Sequence, residues 1–129
     1  MFDDLTHYVI VRRDLPYGLT LAMVGHAAGE SFYAYSFSVP AAPLAMIPRC
    51  TIVVLGARNE GKLEWLRKRL EAAHVSHVPF YESDPPYDGQ LMSIGLVPGR
   101  KADLCEHVKD FALWPWEDAA DIAGDSSVD

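Results

Sequence analysis

The sequence predicts an α/β domain of three layers, built on a mixed four-stranded sheet in the order β-α-β-α-β-β-α. Three observations carry that expectation. Short, β-rich apolar runs at 8–11 and 51–55 have the character of strands covered on both faces. Each is followed by residues with helical periodicity rather than by a tight turn, which suits a crossover connection. The last two apolar runs, 75–81 and 90–97, are instead separated by a turn-rich loop and form a consecutive pair.

The first strand, Tyr8-Val9-Ile10-Val11, closes at Arg12-Arg13-Asp14, and Pro16-Tyr17-Gly18 makes a turn. Apolar residues at 19, 22, 23, 26 and 27 then mark an amphipathic helix expected to fray near Gly29. Residues 33–48 hold three prolines and no clean period, and are read as an irregular connection. Gly56 stops the second strand. Asn59 is a good N-cap for a helix whose stripe is Leu63, Leu66, Leu70 and Ala73, with Glu64 and Lys68 placed to pair on its solvent side. The loop 82–89 contains Asp84-Pro85-Pro86 and Asp88-Gly89. Pro98-Gly99 opens a last helix of about three turns, its inner face Ala102, Cys105 and Val108. Trp114-Pro115-Trp116 is expected to pin the chain to the body. One domain is expected over 1–116, with 117–129 a mobile acidic tail.

Composition narrows the class. The chain of 129 residues is 50% hydrophobic and 22% charged, a globular balance that needs no disulfide staples at this size. Cys50 and Cys105 form no CxxC pair, the acidic N-terminus lacks the base of a signal peptide, and no apolar run reaches membrane-spanning length. The expected location is cytoplasmic, without a membrane partner. The formal net charge is −7, yet five acids lie in the tail 117–129 and two more are Asp3 and Asp4, so the body between is neutral. Within it, 49–70 carries six bases against two acids, a local excess that would suit phosphate contacts.

Two chemical motifs fail on inspection. Gly56 to Lys62 has the G-x-x-x-x-G-K spacing of a phosphate loop. However, Leu63 stands where a hydroxyl should hold magnesium, Glu60 puts a carboxylate in the anion cradle, and no later strand ends in the required Asp. His74 and His77 have a metal-like spacing but no third or fourth ligand at a recognisable interval, and are read as solvent-side histidines.

A more informative constellation joins 8–18, with Arg12, Asp14-Leu15 and Gly18, to Gly25-His26-Ala27-Ala28 and then to 84–95, with Asp84, Gly89 and Leu91 to Gly95. It resembles the type-2 peptidyl-tRNA hydrolases, most of all their short bacterial and phage-type members, over residues 7–32 and 50–98. Those proteins open with a strand, R-x-D-L, a Gly turn and a helix ending in H-A, and later carry an Asp loop before a G-x-L-T-A-I strand. The resemblance implies hydrolysis of the ester between an acyl group and the 3′ end of tRNA by an activated water, with no metal or other cofactor. It implies a cleft between the first helix and the Asp loop. Asp84 matches the residue that would orient water; Asp14 and His26, which match the turn and the helix histidine, join it as candidate catalytic residues, and Gly18 matches the turn glycine. Arg12, Arg13, Gly18, Arg58, Lys62, Arg67 and Lys68 are the candidate substrate contacts, tRNA the expected partner, and homodimer formation is left open. Longer family members place Lys and Gln where Leu19 and Met23 stand. Residues 19, 23 and 26 share one helix face, on which His26 is expected to be a buried, structural histidine. An impaired tRNA- or protein-binding module on the same fold is the alternative.

Overall fold

A computed structural model describes residues 5–37 and 50–114. The described elements are β1 (Leu5–Arg12), α1 (Tyr17–Ser36), β2 (Thr51–Ala57), α2 (Glu60–Ala72), β3 (His77–Tyr81), β4 (Leu91–Leu96), β5 (Gly99–Arg100), α3 (Lys101–Leu104) and β6 (Ala112–Leu113). The fold is α/β with a mixed sheet. Its strand order is β3-β4-β1-β2-β6, with β5 paired to β1, so six strands stand where four were expected. The two additional strands have two residues each, too few for a sequence period to reveal.

β1 and β2 run parallel, with Val11 opposite Gly56, whereas β4 runs antiparallel to both β1 and β3. β1 is buried along its whole length because α1 lies over one face of the sheet and α2 over the other. On the α2 side Tyr8 and Ile10 pack with Leu55, Leu63, Leu66, Leu70, Ile94 and Leu96. On the α1 side Val9 and Val11 pack with Leu15, Met23, Ala27 and Met92. Burial of this apolar surface is the main stabilising term. Gly95 is needed where α1 crosses β4, since a Cβ there would overlap the Ala27 carbonyl oxygen and lie 2.6 Å from Ser31 Oγ.

Several expectations change. α1 does not fray at Gly29 but continues to Ser36, taking in 33–36; residues 38–49 lie outside the described residues. Its buried positions are Thr20, Met23, Ala27, Ser31 and Tyr35, not the stripe that includes Ala22 and His26. The rotation is possible because Ser31 Oγ donates to the Ala27 carbonyl (2.7 Å) and Thr20 Oγ1 to that of Pro16 (3.1 Å), satisfying both hydroxyls inside the helix.

In α2 the Asn59 side chain accepts from Lys62 N–H, as expected of an N-cap. Ala73 is the exposed C-cap rather than part of the inner stripe. Glu64 pairs with Arg67 at 2.8 Å, not with Lys68. The third strand begins at His77. The last helix is only four residues, followed by a 3-10 turn at Cys105–Val108; Leu104 and Val108 are its buried residues and Ala102 is exposed. Cys50 and Cys105 are free thiols. Trp114 does hold the chain, donating its N–H to the Val54 carbonyl at 2.8 Å. Residues 115 and 116 and the tail 117–129 lie outside the described residues. No helix among the described residues is long and apolar enough to cross a membrane.

Candidate active site

The strand directions gather three connections at one edge of the sheet. β1, β2 and β3 all end there, so the β1–α1 turn, the β2–α2 turn and the loop 82–90 meet at the carboxyl ends of the parallel strands. In open α/β sheets that edge is where ligands bind.

Arg12 is the hub of this edge. Its guanidinium is buried and holds both carboxylate oxygens of Asp14 in a bidentate pair, each at 2.9 Å. The same group donates to Gln90 Oε1 at 2.7 Å. The hydrogen bond to Asp14 raises the guanidinium pKa further, against the opposing effect of burial. Glu60, at the start of α2, accepts from the Leu91 N–H at 2.9 Å. The carboxylate that spoils a phosphate cradle thus ties α2 to the start of β4. Sequence reasoning missed Gln90 and Glu60 as site-building residues. Their only signal was polar side chains at the ends of elements that converge on one edge.

Asp84 is exposed at the head of the loop. Glu82 shapes the turn beneath it, its Oε2 accepting from the N–H groups of Ser83 and Asp84, each at 3.1 Å. Gly89, with φ +84°, lets the loop close through Gly89 N–H to the Glu82 carbonyl at 2.8 Å. The loop is therefore held by its own backbone while the Asp84 carboxylate faces solvent. Gly18 lies exposed in the first turn of α1.

His26 is exposed, not buried as the apolar stripe suggested. Its ring stacks on Phe80 of β3, centroids 4.4 Å apart and planes inclined by 5°. Met23, by contrast, is 2% exposed and packs in the core, and Leu19 packs against the same cluster. Residues 19, 23 and 26 therefore do not present a common face to a ligand. The buried histidine is His7, fully enclosed on β1 beneath α1.

The cations are distributed between the edge and the outer face of α2. Arg13 and Arg58 are half-buried and engaged at the edge. Lys62 Nζ sits 3.7 Å over the Trp65 ring, and the Arg69 guanidinium lies 4.5 Å over the same ring. Arg67 is held by Glu64 at 2.8 Å and by Glu71 at 3.3 Å. Lys68 is exposed. His74 is exposed, and His77 donates from Nδ1 to the Val75 carbonyl at 2.7 Å. Among the described residues, no three His, Cys, Asp or Glu side chains gather as a metal site. A cavity of about 380 Å³ lies at the opposite edge, lined by Tyr35, His74, Ser76, Arg100 and Asp103 among others; Arg12, His26 and Asp84 take no part in it.

The arrangement offers an exposed carboxylate on a braced loop, an aromatic stack on the strand that leads into that loop and a buried arginine joining the two segments of the motif. Compared with known proteins, the chain matches no protein-family model and no curated protein.

Proposed function

We propose that the protein is a peptidyl-tRNA hydrolase-like esterase, acting at the carboxyl edge of the sheet. The observation that supports this reading most is the contact between Arg12 and Gln90, at 2.7 Å. It joins the R-x-D-L segment to the end of the Asp loop, two stretches 78 residues apart in the chain whose combination carries the family resemblance. In this reading Asp84 orients a water and accepts its proton as the water oxygen attacks the ester carbonyl. The tetrahedral intermediate collapses with departure of the 3′ oxygen of tRNA, which takes up a proton, leaving a free acid and a tRNA with its hydroxyl restored. Asp14, with both oxygens on Arg12, acts as an anchor for the turn that leads into α1.

A second reading is a binding module without turnover. The burial of Met23 favours it, because that position presents no amide donor to an ester. Release of tRNA from a blocked aminoacyl-tRNA separates the two. The esterase reading expects turnover by the native protein and a fall of about 10²-fold or more in Asp84→Ala, the range for loss of a positioned acid–base group. Salt-sensitive tRNA binding with no turnover would leave the module.

A further inference from the structure

We propose that the His26–Phe80 stack is a nucleobase platform, taking the base of the 3′-terminal adenosine of tRNA. The inference rests on the esterase reading and assigns to it a substrate contact. The inner face of the His26 ring covers Phe80 at 4.4 Å and within 5° of parallel, while His26 itself is exposed. Phe80 is set from beneath by the cluster that contains Met23, Ala27 and Met92. The upper ring is thus a flat π surface fixed in advance, so a planar ligand pays little to order it.

The surroundings leave that surface open. Gly25 beside it and Gly29 one turn on have nothing within 4 Å of where a Cβ would stand, and Ala22, one turn earlier, is exposed and small. A large aromatic group can therefore approach without displacing a side chain at these three positions. The stack is also next to the proposed chemistry. Phe80 lies opposite Ser93, which lies opposite Val11, so it is two strands, about 10 Å, from the residue that precedes Arg12. Asp84 follows Phe80 by four residues, which limits their separation to about 14 Å. The ester to be cleaved hangs on the terminal nucleoside, so its base must bind within that reach of the water-orienting carboxylate. Stacking on an aromatic face recognises any base by its π surface and explains a ring with no hydrogen bond among the described residues.

The test measures binding of one uncharged tRNA with its complete CCA end and of the same tRNA lacking the terminal adenosine. The native protein is expected to prefer the complete end by about 5- to 150-fold, the range for one stacked base. His26→Phe, which keeps a flat ring and loses the titratable nitrogens, is expected to retain that preference. His26→Ala is expected to bind both forms alike, at the level the native protein shows for the shortened one. Equal binding of the two tRNAs by the native protein overturns the platform and leaves the esterase reading standing. So does a preference that survives in His26→Ala, or one lost as completely in His26→Phe. If the native protein neither binds tRNA nor cleaves its ester, the esterase reading fails, and the platform with it. Should His26→Ala fold poorly, the comparison of native protein with His26→Phe on the two tRNAs still decides.

Discussion

His7 is enclosed between β1 and α1, with Phe32 at 4.2 Å between ring centroids and Ser31 Oγ at 2.5 Å from Nε2. Because Ser31 Oγ gives its proton to the Ala27 carbonyl, it accepts from His7 Nε2–H, which fixes the neutral tautomer. Nδ1 is buried with no partner among the described residues, so a proton there would find no acceptor among them. Burial accordingly lowers the pKa to about 4 from 6.5. The unfolded chain takes up this proton first as pH falls, so stability is whole above pH 6.5 and declines between 6.5 and 4. By pH 4.5 the loss from this residue should reach roughly 2.5 kcal/mol, at 1.36 kcal/mol per unit. Urea unfolding of the native protein and His7→Gln at pH 7 and 4.5 checks it: the gap between the two should move by that amount, and parallel losses would refute the assignment. The sequence held this residue in plain view. His26 drew attention by standing at an apolar spacing, whereas His7 only extended a strand. A central strand is covered on both faces, and there position in the sheet decides burial more strongly than polarity.

At the scale of elements, α2 was the most legible, since its cap, its leucine stripe and its length follow from local rules. α1 was legible in existence but not in rotation, because two hydroxyl residues that satisfy themselves on the helix backbone occupy its inner face. The two-residue strands β5 and β6 left no periodic signal, and the spacing of Ala102, Cys105 and Val108 suggested three helical turns where four α-helical residues pass into a 3-10 turn. The exit of α2 holds a further consequence. His74 adopts φ +59°, its N–H donates to the Glu71 carbonyl at 3.1 Å, and Val75 N–H donates to Leu70 at 2.9 Å. These are the paired bonds of a Schellman cap, whose left-handed residue is usually glycine because a Cβ is strained there. His74→Gly should therefore stabilise the protein by about 0.5–1 kcal/mol, raising the thermal midpoint by a few degrees. His74→Val, with a branched Cβ in the same conformation, should lower it. A midpoint unchanged in both variants would show that the cap carries no strain.

For the whole molecule, the edge where β1, β2 and β3 end was predictable from the order of elements. The contacts that organise it were not, since Arg12 meets Gln90 only once β4 has inserted between β1 and β3. Charge behaves in the same way. The sequence shows a basic segment, but folding spends its cations unequally: Arg67 is matched by two glutamates, and Lys62 and Arg69 share the Trp65 ring, which remains 38% exposed. Lys68 stands exposed on the same helix. A paired cation has already lost much of its attraction for a phosphate, because approach of the anion must displace or tolerate the neighbouring carboxylates. If tRNA contacts this helix, Lys68→Ala should reduce the slope of log affinity against log salt by about 0.7–0.9, the value of one phosphate contact. Arg67→Ala should change it by less than half as much, despite removing the same formal charge. Binding measured across a series of salt concentrations checks both variants. Equal changes would mean that net charge alone governs the encounter, and no change in either would place the nucleic acid away from α2.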